Sequence, residues 1–346
     1  MSNCDMCLGD TNDMSARASF RCPDSAPRDL RKKSKRFIVA NGTPFIFSAV
    51  ELPETRHLVR LVLIRTLVER DIDYVTESVN AEKWGYDRRD IERCWRYEPD
   101  GCFVAEIDNI PIGHVFSICY GKIGWIGLLR VDPEHRRRRI GRDLMRVTLN
   151  YQQGAGAEAI RLVARDEAVP LYLSLGFREE FEVIRFSRQI RRADSVNVDK
   201  QAWISQMRQK DIEDLAKFDC KYFGASRVCV LRSLYKDEPR LCFLAREGTR
   251  LLGYVMARRI RDAYYAGPWV CENPERAEDL LCACIGAVSE ETELRLDMGS
   301  LNENGTGLMR KLGFHVMGTT ISMVWGERKH GGNSAGIYGI GGREKG

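Results

Sequence analysis

Between Val131 and Leu144 the chain reads Val-Asp-Pro-Glu-His-Arg-Arg-Arg-Arg-Ile-Gly-Arg-Asp-Leu. An apolar run ends at Val131, Pro133 forces a turn, and amphipathic helical spacing starts near Ile140. A loop that enters a helix this way leaves backbone N–H groups unpaired at a positive helix end, which suits a pyrophosphate. Arg136, Arg137, Arg138, Arg139 and Arg142 add cations that can pair with phosphate oxygens. Gly141 stands in the first turn, where a helix prefers almost any other residue. A ligand that must approach the backbone closely would account for it.

The elements that would carry this loop follow from periodicity. Ile64–Val68 alternates like a strand. Asp71–Trp95 has helical apolar spacing broken near Gly85. Cys102–Ala105 and Ile112–Tyr120 are strands around an Asp108-Asn109 turn, and Ile123–Val131 is a further strand. Gly141–Tyr151 is a helix, Ile160–Ala164 a buried strand, Ala168–Leu175 a short helix ended by Gly176, and Phe181–Phe186 a strand. A meander followed by strand–helix alternation predicts an α/β fold with a mixed (α+β) sheet.

The pattern then repeats. Cys102-Phe-Val-Ala…Ile-Gly113-His-Val returns with the same spacing as Cys242-Phe-Leu-Ala…Leu-Gly253-Tyr-Val, and Leu175-Gly-Phe177 returns as Leu312-Gly-Phe314. The offsets are 140 and 137 residues, so two similar units are expected in tandem. Their bounds are read as 60–192 and 200–346, after an N-terminal segment, 1–44, expected to be disordered. In the second unit Met309 replaces Tyr172, and Pro268-Trp-Val-Cys-Glu-Asn-Pro274 has neither the arginines nor the glycine.

At Arg136–Gly141 and at Leu171-Tyr172-Leu-Ser-Leu175-Gly176-Phe177 the sequence resembles the GNAT superfamily of N-acetyltransferases. The whole resembles a tandem type with a degenerate second domain. It departs at the family's first loop glycine, which is Arg139 here. A side chain is tolerated there if the residue is already helical, at some loss of donor affinity. The resemblance implies acetyl-coenzyme A as co-substrate, with backbone groups of Leu129 and Val131 on its pantetheine arm and its phosphates on Arg136–Arg142. It also implies Tyr172 as the general acid for the departing thiolate. The second unit is expected to have lost donor binding.

An amine acceptor with pKa of about 10 is mostly protonated at neutral pH, so a base is expected. Glu106, His114 and Asp219 are candidates, as is a relay through water. The acceptor is an amine-bearing small molecule or a protein, with the cleft between the units its natural place. The glycine-rich end around Ile337, Tyr338 and Ile340 either covers that cleft or is a flexible tail. The alternative function is a non-catalytic acyl-coenzyme A-binding or scaffold protein.

A net charge of +5 suits an anionic ligand but is no nucleic-acid signature. No apolar run is long enough to span a bilayer, and the first thirty residues show no secretory pattern. The 12 cysteines are scattered through a chain too long to need disulfides, which fits reduced thiols in the cytoplasm. Cys4 and Cys7 form one CxxC with no second pair, so no metal site is expected. Oligomeric state cannot be read from the sequence.

Overall fold

The computed structural model describes residues 36–40, 43–51, 59–191, 194, 203–288, 291–327 and 331–346. The CxxC at Cys4 lies outside them, as does the basic run from Arg31 to Arg36 up to its last residue.

The first half opens with strands β1 (Arg36–Ala40), β2 (Thr43–Glu51) and β3 (Val59–Thr66), paired antiparallel in order. Residues 36–40, 43 and 44, expected to belong to a disordered segment, are therefore strand. Phe37-Ile-Val and Phe45-Ile-Phe are strong strand formers around Asn41-Gly42, a signal outweighed in the sequence by the polar residues before them. Helices α1 (Ile72–Ala81) and α2 (Arg88–Tyr97) follow, broken at Gly85 as the spacing predicts. Strands β4 (Phe103–Ile107) and β5 (Ile110–Tyr120) turn at Asp108 and Asn109, both left-handed, as a two-residue hairpin requires. Then come β6 (Ile123–Val131), α3 (Ile140–Gly154), β7 (Ala159–Ala164), α4 (Val169–Leu173) and β8 (Arg178–Ile190).

The second half repeats this as β9 (Ile204–Gln206), α5 (Ile212–Phe223), α6 (Val228–Asp237), β10 (Cys242–Glu247), β11 (Arg250–Ile260) and β12 (Ala263–Cys271). It continues with α7 (Pro274–Ala287), β13 (Thr292–Gly299), α8 (Glu303–Lys311) and β14 (His315–Gly326), and adds a short β15 (Ile337–Gly339).

All described strands belong to one sheet, ordered β1-β2-β3-β4-β5-β6-β7-β14-β8-β13-β12-β11-β10-β9, with β15 on β12. The middle of this order shows an exchange. β14 of the second half lies between β7 and β8 of the first, and β8 lies between β13 and β14 of the second, all antiparallel. Each half is thus completed by the other's last strand, and residues 35–346 form one compact unit.

Each half has its own core, and each core takes in the exchanged strand: Met323 of β14 in the first, Phe186 and Ile190 of β8 in the second. In the first, Ile126, Ile160 and Leu162 pack under Leu144 and Met145 of α3; in the second, Leu294 and Leu296 pack under Leu280 and Leu281 of α7. No described helix is long and apolar enough to cross a membrane.

Candidate donor and acceptor sites

Parallel β6 and β7 pair only from Ile123–Ala159 to Ile126–Leu162. Beyond that point they part, and among the described residues no strand pairs with Gly127–Val131 on that side. A bulge against β5, with Leu128 at φ +50°, bends β6 away. The Asp132 N–H donates to the Ile112 carbonyl, so by antiparallel alternation the backbone groups of Val131 face the gap.

Three elements meet at the mouth of this gap. A Cβ built on Gly141 lies 3.7 Å from Val131 Cγ2 and 3.8 Å from Leu171 Cδ2, ordinary contact distances. The protein's own packing therefore does not demand glycine there. Arg142 donates to Ser174 Oγ at 2.9 Å, tying α3 to the end of α4. The first turn of α3 carries no side-chain cap. By contrast Asn273 caps α7 by accepting from the Arg276 N–H, with Pro274 in its first turn.

Arg139 corrects the sequence expectation. It is not helical: at φ +67°, ψ 2° it is left-handed, as is Arg137 at φ +62°. The loop thus holds at two arginines the backbone that glycine adopts without strain, and turns of this kind form anion-binding concavities.

Arg136 is also placed differently from the expectation. Its Nε donates to the Val131 carbonyl at 2.9 Å and its Nη2 bonds Glu82. Glu82, which no sequence signal marked, also receives Arg130 Nε at 3.3 Å. Burial works against its ionisation, but Arg136 and Arg130 hold its carboxyl below the usual range. Arg136 thereby fixes the loop to β6 and α1, while Arg137 and Arg139 remain exposed.

Tyr172 is buried in α4, its ring edge-on to Phe177 at 5.8 Å. Burial pushes its phenol up, so it stays protonated at neutral pH. Its counterpart Met309 is fully buried in the second core.

None of the three candidate bases stands free. Glu106 accepts from Arg65 Nε at 2.9 Å, two strands away from β6. Asp219 is fully buried and held by Arg227 through bonds of 2.8 and 2.9 Å, with Tyr254 donating to it as well. His114 lies under α1, 3.1 Å from Ser78 Oγ, and burial together with nearby Arg130 depresses it to about 3. A side chain that weakly basic stays neutral and accepts a proton poorly.

The gap in the second half is filled. β15 pairs antiparallel with Trp269 and Val270, at the position in β12 that matches Leu129 and Arg130 in β6. Tyr338 lies against Trp269 at 5.0 Å, and the Ile340 N–H donates to the Asp297 carbonyl of β13. The chain then runs across to the first half. There the Trp125 indole donates to Arg343 O at 2.9 Å and Tyr86 donates to Glu344 at 2.7 Å. A Cβ on Gly127 would sit 2.4 Å from Glu344 Cα, so only glycine admits this approach. The glycine-rich end is thus a packed element, one of the two readings the sequence left open.

On the face of the sheet opposite α3, a cavity of about 340 Å³ lies beside the point where β6 and β7 part. Trp125, Arg161 and Phe181 line it from the first half, Tyr222, Phe223 and Arg227 from the second, and residues 331–346 complete the wall.

Comparison with known proteins agrees with this geometry. Residues 67–177 match the acetyltransferase (GNAT) family and residues 215–339 an acetyltransferase (GNAT) domain. This chain is a tandem GNAT-type protein. Its enzymatic class is accordingly acyltransferase.

The tandem GNAT chain is 24% identical to the holothin acyltransferase of Pseudoalteromonas sp. (strain SANK 73390), over 74% of this chain and 85% of that protein. It is 26% identical to the uncharacterized N-acetyltransferase YitH of Bacillus subtilis (strain 168), over 57% of this chain and 67% of that one. A solved Pyrococcus horikoshii chain shares the fold at TM-score 0.69 and 22% identity, covering 86% of this GNAT chain and 99% of its own. A tandem GNAT protein from the clavulanic acid biosynthesis pathway does so at TM-score 0.53 and 12% identity, covering 77% and 98%.

Proposed function

We propose that the first half transfers an acetyl group from acetyl-coenzyme A to a primary amine, and that the second half is a degenerate partner that takes no donor. The observation that carries this reading is the contrast between the two gaps. In the first half, among the described residues, no strand lies in the gap, which sits beside an uncapped helix end. In the second, β15 lies in the gap and Asn273 caps the helix.

In the first half the pantetheine arm would extend along β6 and bond the backbone of Leu129 and the Val131 N–H. The Val131 carbonyl is already met by Arg136. The phosphates would rest on the loop N–H groups and the first turn of α3, with Arg137, Arg138, Arg139 and Arg142 around them. Arg136 holds the loop in shape. Gly141 leaves the room this close approach needs. The acceptor nitrogen attacks the thioester carbon from the opposite face, the C–S bond breaks, the Tyr172 phenol protonates the leaving sulfur, and the proton lost by the nitrogen returns to the phenol through water. Nine free cysteines among the described residues fit a reducing, cytoplasmic setting.

Thiol release from acetyl-coenzyme A in the presence of primary amines tests the reading. Wild-type protein is expected to turn over. Tyr172→Phe is expected to lose about 100-fold in kcat, the scale of general acid catalysis, with donor affinity unchanged. Full activity in Tyr172→Phe would remove the tyrosine from the chemistry.

A further inference from the structure

The cavity beside the β6–β7 gap allows a narrower statement about the acceptor, one that rests on the reading above. Its side-chain walls are mainly apolar: the aromatic rings of Trp125, Phe181, Tyr222 and Phe223 share them with aliphatic groups such as Ile123 and Ile337, and the Trp125 and Phe223 rings lie 6.1 Å apart, tilted by 34°. Its charged side chains are already matched. Arg161 Nε meets Glu180 at 3.0 Å. Arg227 meets Asp219 through two bonds, and its guanidinium lies 4.2 Å over the Phe223 ring. A cationic alkylammonium entering such a space would give up its hydration without meeting an unmatched carboxylate, which is costly. At about 340 Å³, walled by strands, α5 and residues 331–346, the space is at the small end for ligand pockets and suits a compact molecule rather than a peptide.

The candidate bases lead the same way. Glu106 and Asp219 are held in ion pairs, and His114 is sealed beneath α1. An alkylamine of ordinary basicity is neutral in only about one molecule in 2,500 at pH 7, so without a base it reacts slowly. An amine whose lone pair is conjugated with a ring is already neutral. It needs no proton removed before attack.

We propose that the acceptor is a small, planar, weakly basic aryl or heteroaryl amine, stacked among Trp125, Phe181 and Phe223. The neutral nitrogen attacks the thioester carbon and the C–N bond forms. The C–S bond then breaks with its electron pair on sulfur, Tyr172 protonates the sulfur, and the proton that the nitrogen loses passes through water to restore the Tyr172 phenol. The products are the N-acetyl aryl amide and free coenzyme A.

Two acceptors of similar size and shape decide the matter: 5-aminoindole, with its amine on the ring, and tryptamine, with its amine on an alkyl chain. Both are assayed with acetyl-coenzyme A and the full chain between pH 6 and 8.5, beside a calorimetric titration of the donor. The expected kcat/KM for 5-aminoindole at pH 7 is at least about 100-fold above that for tryptamine and flat across the range. Phe181→Ala, at a partly exposed position the fold can spare, is expected to raise its KM about tenfold with kcat and donor affinity retained. Donor binding with equal or better use of tryptamine would overturn the acceptor assignment alone, as would donor binding with neither amine acetylated. An unchanged KM in Phe181→Ala would remove the cavity from the argument. Absence of donor binding would instead overturn the underlying reading, and the acceptor assignment with it.

Discussion

Arg139 carries a conformation that its side chain disfavours. Left-handed backbone costs a non-glycine residue on the order of 1 kcal/mol, and the loop bears that cost at Arg137 too. A β-branched residue is worse there than an unbranched one. Arg139→Val is therefore expected to lower unfolding free energy by more than about 1 kcal/mol and to weaken acetyl-coenzyme A binding. Arg139→Gly keeps the loop shape and is expected to retain affinity. Urea denaturation and donor titration of both variants check this, and equal behaviour of the two would mean that the backbone conformation is immaterial. The arginine run was plain in the sequence, but its division of labour was not. Four consecutive arginines look alike on paper, and only the fold shows that Arg136 reaches back to Val131 and Glu82. A single glutamate at the end of α1 carries no signal of its own.

Elements set which of these residues face the gap. The strands and helices from β3 to β8 were legible because each has a clear period and a stop signal, and β6 matches its expected bounds of Ile123–Val131. What periodicity could not show is where β6 and β7 separate, since that depends on the bulge at Leu128. Nor could it show that β5 turns His114 inward under α1, between Ser78 and Arg130. That burial has a consequence for pH. The imidazole is depressed from 6.5 to about 3, so the unfolded chain binds a proton there before the folded one does. Stability from this group is full above about 6.5 and falls as pH drops toward 3. Unfolding free energy measured between pH 7 and 5 is expected to decline in wild-type protein and to decline less in His114→Gln. An identical slope in both would show that His114 does not carry it.

Across the whole molecule, the duplication was readable from two short matches, but the exchange of β8 and β14 was not. Either strand alone looks like the edge of its own half, and nothing local says which neighbour it will take. The exchange makes each core depend on the other half. Asp297 of β13 binds both Arg185 of β8, through bonds of 3.0 and 2.7 Å, and Arg343 of the final segment, so the same carboxylate ties both halves and the C-terminal segment together. Calorimetric unfolding is expected to show one cooperative transition rather than two. Asp297→Asn, which leaves two arginines poorly matched at a fully buried site, is expected to cost about 3 kcal/mol and to shift that single transition down. Two separable transitions would mean that the halves fold independently.

The account turns on one donor site, in the first half. Acetyl-coenzyme A titrated calorimetrically into wild-type and Gly141→Glu protein tests this most directly. Glutamate in the first turn of α3 suits the helix itself, and its Cβ has room, so the variant is expected to fold while placing a carboxylate where the phosphates belong. One equivalent bound by wild-type protein and none by Gly141→Glu is the expected result. Undiminished binding in the variant, or a second equivalent in either protein, would contradict it.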